Sequence, residues 1–167
     1  MTKSDSKKSY VSTRIESIDT KVLENILVAD KYKKTKKIVD ENSGFMVDDD
    51  KKFSYYMKDL IKEKGMTIKR VILLTGLSES YGRHIIGGDK TTKNRDLVIG
   101  LCISANFTVG ETNRALKLNN MQALYAKRKR DAVIMIEINK GDKSVEDINN
   151  ELKDNNLELL NINSKID

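Results

Sequence analysis

Proline and tryptophan are absent from the chain, and aromatic residues make up only 5% of it. The strand-formers that mark a β-sandwich are therefore sparse, whereas the abundant Lys, Glu, Asn, Ile and Leu point to helices. Cysteine occurs once, as Cys102, which excludes an internal disulfide. Its place in the apolar run 97–105 marks it as a buried core thiol. Histidine also occurs once, as His84, with no second His or Cys at ligand spacing, so neither metal nor cofactor is expected. No stretch approaches the ~20 apolar residues of a membrane span. The N-terminal MTKSDSKKSYVSTR has no apolar core, so a secretory signal is not expected there. A cytoplasmic protein is expected. Catalysis needs clustered acid, base or nucleophile groups. None is visible, and GGDKT lacks the spacing of a phosphate loop, so an enzyme is not expected.

What is present is charge, unevenly placed. The net +6 of the 167 residues resolves into +2 over residues 1–52, +9 over 53–130 and −5 over 131–167. A basic centre raises the local concentration of anions and favours phosphate-rich partners.

Along the chain, residues 1–17 read as a disordered Ser/Thr/Lys-rich arm. Residues 18–52 read as an amphipathic helix, spanning roughly 15–39, and a charged linker. From 53 to 64, Phe53, Tyr56, Met57, Leu60 and Ile61 fall on one helical face, closed by Gly65. Thr67 is placed to cap a second helix with Val71, Ile72 and Leu74 inward, ended by Gly76. Ser78 is placed to cap a third, ended by Gly87 and Gly88. A polar loop, 89–94, precedes an apolar helix over 95–106, and Thr108 with Glu111 forms a capping box for the next. Further helices are expected over 127–139, with Ala132, Val133, Met135, Ile136 and Ile138 as its apolar positions, and from Ser144 to 154. Leu157, Leu159, Leu160 and Ile162 follow as a docking tail. No internal repeat is apparent. The expected segments are the disordered arm (1–17), helix and linker (18–52), a central domain (53–120) and a helical extension (121–167), and the expected fold class is all-α.

Residues 68–86, IKRVILLTGLSESYGRHII, match the helix-turn-helix template. Gly76 sits where the turn needs positive φ, Leu77 plugs the turn, and Val71 and Ile85 fall where the two helices meet. The second helix then turns Glu79, Ser80, Arg83 and His84 outward, side chains that suit base edges and phosphates.

Here the chain resembles the lambda-repressor-like (Xre-family) helix-turn-helix domains, and more narrowly a variant found in Gram-positive bacteria. The matching stretches are KEKG (62–65), LTGLSESYGRHI (74–85), GGDKTTKNRD (87–96) and VGETNRALKL (109–118). YAKRKRDAVIMIEINKG (125–141) resembles the downstream helix of that variant, extending the similarity to about residue 160. The resemblance implies an all-α, lambda-repressor-like domain with an N-terminal arm and helix and an α-helical C-terminal extension. It implies sequence-specific binding of double-stranded DNA and transcriptional regulation. Ser78, Glu79, Ser80, Tyr81, Arg83 and His84 would face bases, and Thr67, Lys69, Lys90, Thr91, Thr92, Lys93 and Arg95 would face phosphates. A homodimer is one expected state. A protein-interaction adaptor and a nucleoid-type binder without sequence preference are the alternative functions.

Three positions depart from the pattern. Ile68 stands where Gln is frequent, bulky Ile72 where Ala is usual, and Gly82 where an apolar residue is usual. Gly inside a helix costs ~1 kcal/mol, so a short or bent helix is expected at Gly82. The basic run 127–130 suits either a phosphate patch or a solvated helix start. The family also includes regulators that act beside Ser/Thr kinases. This implies a kinase acting on Thr2, Ser4, Ser6, Ser9, Ser12, Thr13, Ser17 or Thr20 in the arm, the alternative being an unmodified solubilising tail.

Overall fold

The structure, a computed structural model, describes residues 20–43, 46 and 51–163. The arm with its phosphorylation candidates up to Ser17, most of the linker and residues 164–167 lie outside the described residues. The described residues form helices and no strand.

Two short helices come first, α1 (Thr20–Val28) and α2 (Thr35–Asn42). A single helix over 15–39 was expected. The break falls at 29–34, where the Asp30 carboxylate accepts the Tyr32 amide and offers the backbone an alternative to helix. No described side chain of either helix is buried, and Val22, Ile26, Val28 and Val39 stay exposed.

The packed body begins with α3 (Lys52–Glu63), which buries Phe53, Tyr56, Met57, Leu60 and Ile61, the five residues its periodicity picked out. It stops at Gly65 (φ 71°), where the Met66 and Gly65 amides bond the carbonyls of Ile61 and Lys62. Thr67 caps α4 (Ile68–Thr75), accepting the Arg70 amide, and Ser78 caps α5 (Glu79–Gly87), accepting the Tyr81 amide. Gly76 joins them in the left-handed region at φ 80°. Val71, Ile72 and Thr75 form the buried stripe of α4. Leu74 is not inward as expected. It falls at the edge of that stripe and remains 45% exposed beside the more exposed Leu73.

Gly82 does not mark a bend. α5 runs through it, and the residue is buried. A Cβ at this position would lie 2.6 Å from both Cγ1 and Cγ2 of Ile72. The two departures therefore compensate one another: the bulk gained at 72 occupies the space vacated at 82.

α6 (Arg95–Ser104) is buried from Leu97 to its end. It packs on α4 and on α7 (Val109–Leu118), whose capping box between Thr108 and Glu111 is complete. α8 (Lys129–Lys140) and α9 (Val145–Asp154) follow, the latter opened by a Ser144–Asp147 capping box. α8 starts later than the expected residue 127 because Arg128 is extended. Its inward face centres on Ile134, while Ile136, one of its apolar positions, is 55% exposed. In the tail Leu160 and Ile162 are buried and Leu159 is not. Ile162 rests on Gly100, where a Cβ would collide with it.

The structure also corrects the expectation that no internal repeat exists. The α8–α9 unit repeats α6–α7, with one extra residue near Gly141. Arg95 and Asp96 align with Arg130 and Asp131, Ile99 with Ile134, Val109 with Val145, Asn113 with Asn149, Leu116 with Leu152 and Leu124 with Leu160. The hydrogen bonds repeat as well. Leu124 N–H donates to Asn113 Oδ1 at 2.8 Å, and Leu160 N–H to Asn149 Oδ1 at 2.8 Å. Arg95 donates to the carbonyls of Gln122 and Ala123, and Arg130 to those of Glu158 and Leu159.

Between the units the bonds cross over. Arg95 forks onto Asp131 (3.1 and 2.9 Å), and Arg130 forks onto Asp96 (3.0 and 2.9 Å). The Tyr125 amide donates to Asp131 and the Asn161 amide to Asp96. α7 packs on α8 while α9 packs on α6. Such reciprocity is what a two-fold relation between like surfaces produces.

Cys102 lies within α6, fully buried. Burial pushes its thiol pKa far up, out of the range in which a nucleophilic thiolate forms. The native protein should not react with an aromatic disulfide reagent at pH 8, and one equivalent should react after unfolding in denaturant. Rapid labelling of the native protein would contradict the burial. Among the described residues no helix is long and apolar enough to cross a membrane.

Candidate nucleic-acid interface

α5 presents two unlike faces. Gly82, Ile85 and Ile86 hold it to the core. Ser78, Glu79, Ser80 and Arg83 are exposed on the opposite face, and His84 is partly exposed. Tyr81 is less available than the other predicted base readers, since its ring packs against the core.

Arg83 donates from Nε and Nη2 to Glu79 Oε1 at 3.1 and 2.9 Å, one helical turn back. This bond, followed by the charge of Lys69 on α4, holds the Glu79 carboxyl below its usual pKa. Glu79 therefore stays ionised and orients a guanidinium that would otherwise swing freely. His84 Nδ1 lies 3.4 Å from Asp89 Oδ2 at the other end of the helix.

Cations surround this face. Lys69 and Arg70 are exposed on α4, and Lys90 and Lys93 on the loop after α5. Thr67 is exposed, with its hydroxyl serving as the cap of α4, and Thr91 is exposed. The loop is held in place rather than free: the Lys90 amide bonds the His84 carbonyl, and the Asn119 side chain bonds the Thr92 carbonyl.

Two predicted phosphate ligands are corrected. Thr92 is buried, and its hydroxyl accepts the Asn94 amide within the loop. Arg95 has its guanidinium committed to Asp131 and to the carbonyls of Gln122 and Ala123. A donor fork satisfied in that way cannot turn outward without leaving a buried carboxylate unpaired. The basic run 127–130 divides similarly: Arg130 is fixed on Asp96, while Lys127, Arg128 and Lys129 are exposed.

Sequence reasoning missed the Arg–Asp exchange that fixes the N-terminal ends of α6 and α8 side by side. The repeated Arg-Asp dipeptide at 95–96 and 130–131 was its available signal. At the opposite ends of those helices a cleft of about 320 Å³ opens between Ile103, Phe107, Ile138 and Lys143. Among the described residues no group of His, Cys, Asp or Glu is placed to hold a metal ion. Compared with known protein families, with curated proteins and with solved structures, the chain gives no match.

Proposed function

We infer that this protein binds double-stranded DNA in a sequence-specific way and regulates transcription, with α4 and α5 acting as a lambda-repressor-like helix-turn-helix. One observation carries the inference. α5 is capped at both ends, anchored by one apolar face and free along the other, and that free face is polar and ringed by Lys69, Arg70, Lys90 and Lys93. A helix entering the major groove needs such a face, with cations at its margins to meet the two backbones. Arg83, steadied by Glu79, is the side chain suited to a bidentate bond with guanine. The exposed pair Leu73 and Leu74 on α4 favours a second reading, an adaptor that recruits another protein through this apolar spot.

Fluorescence polarisation with the DNA upstream of the gene, against random duplexes, separates these readings. Specific binding should weaken roughly ten-fold or more in Arg83→Ala, with non-specific binding and melting temperature nearly unchanged, as for loss of a contact worth ~1–3 kcal/mol. Lys90→Ala with Lys93→Ala should weaken binding to every sequence alike. Equal wild-type affinity for all sequences would indicate a nucleoid-type binder. No binding at low salt to any DNA would leave the adaptor.

A further inference from the structure

We propose that Lys127, Arg128 and Lys129, at the entry to α8, grip the phosphate backbone of duplex DNA beside the segment that α5 reads. This rests on the DNA-binding reading above and extends its footprint to the second repeat unit.

The three side chains are exposed. Lys127 and Lys129 have no carboxylate partner among the described residues. Arg128 lies 4.0 Å from Asp131, but that carboxylate is already engaged by Arg95. Cations at the first turn oppose the helix dipole, so their placement works against α8 rather than for it. Internal pairing therefore does not account for the two lysines and holds Arg128 only at long range, whereas it does account for their neighbour Arg130.

Their position links them to α5. Arg128 reaches the side-chain oxygen of Gln122 at 3.5 Å, and Arg95 holds the Gln122 carbonyl at 2.8 Å. Asn119, just before, holds the Thr92 carbonyl, and the Lys90 amide holds the end of α5. One bonded edge thus runs from α5 through the 89–94 loop to the start of α8. The repeat supplies an independent indication. Arg128 precedes its Arg–Asp pair as Lys93 precedes Arg95 and Asp96, so the two units bring equivalent cations to the joined ends of α6 and α8. Tyr125, half-exposed beside the run, adds a hydroxyl able to bond a phosphate oxygen.

The test is a salt titration of DNA affinity for the wild-type full chain, for Lys127→Ala/Arg128→Ala/Lys129→Ala, and for the charge-conserving Lys127→Arg/Arg128→Lys/Lys129→Arg. The alanine variant should bind every long duplex roughly ten-fold or more weakly, and its slope of log affinity against log salt should be shallower by about two to three. The charge-conserving variant should match wild type, and circular dichroism should show all three equally folded. If wild type binds DNA and the alanine variant keeps both affinity and slope, the proposal fails while the α5 reading stands. If wild type binds no DNA at any salt, both fail. Loss confined to one sequence would overturn a backbone role. A patch that holds wild type on anionic phosphatidylserine vesicles, without affecting DNA affinity, would assign it to a membrane surface instead.

Discussion

Arg95→Ala should destabilise the protein by about 3 kcal/mol, lowering its melting temperature by roughly 10 °C. The Asp131 side chain is only 1% exposed and takes both arms of the Arg95 fork. Removing the guanidinium leaves a buried carboxylate with the Tyr125 amide as its remaining close donor, and strips the Gln122 and Ala123 carbonyls of theirs. The pH dependence gives a second readout. Burial works to raise the Asp131 pKa, but the Arg95 hydrogen bonds, the Tyr125 amide and the charges of Arg95 and Arg128 outweigh it and hold the group below its usual value. A carboxylate whose pKa is lowered by folding contributes stability above its unfolded pKa of about 3.9 and loses it as pH falls through the folded value. Wild type should therefore lose this contribution below about pH 4. In Arg95→Ala the unpaired carboxyl should instead have a raised pKa, and its protonation would remove the buried charge. The stability gap between the two proteins, read from urea unfolding, should narrow as pH falls from 7 toward 4. A gap of under 1 kcal/mol at pH 7 would mean that Arg95 is a surface cation after all.

Gly82→Ala should destabilise the protein by up to about 2 kcal/mol, although alanine is the better helix former. The added methyl would meet two carbons of Ile72 at 2.6 Å, and a β-branched side chain cannot swing both aside. Overpacking costs about 1–3 kcal/mol, partly offset by the ~1 kcal/mol propensity gain. Ile72→Ala alone should cost about 2–5 kcal/mol by leaving a cavity. Together the two changes should be less harmful than their sum by about 1–2 kcal/mol, because the methyl added at position 82 enters the space that Ile72 vacates. Additivity within about 0.5 kcal/mol would show that the two sites do not share one volume.

That complementarity explains what was legible in the sequence. Local signals carried most of the helix limits: Gly65 and Gly76 at positive φ, and Thr67, Ser78, Thr108 and Ser144 as caps. All of these act within a few residues. Gly82 looked like a weak point because its compensation lies on another helix, ten positions back at Ile72. Arg95 and Thr92 looked like phosphate ligands because the chain states a side chain's chemistry and not its partner. The partner of Arg95 is 36 residues away. The repeat was visible as RD, then an apolar helix, a Ser/Thr cap and NN, but the extra residue near Gly141 hid its period. The outward face of α5 and the exposure of Lys90 and Lys93 agree with the sequence reading, while Tyr81 is partly claimed by the core.

The crossed Arg–Asp bonds also set an order of events during synthesis. Leaving the ribosome N-terminus first, α3 to α6 can form their local turns early. Yet Arg95 has no counter-ion until Asp131 emerges, Asp96 waits for Arg130 and the Asn161 amide, and the groove at Gly100 is filled only by Ile162. Helix α6, which every later described helix touches directly or through one neighbour, is therefore incomplete until Ile162 has emerged. A chain interrupted before residue 130 would display an apolar helix and an Asp96 carboxylate without its counter-ion, and one interrupted before residue 162 would still leave the groove at Gly100 open.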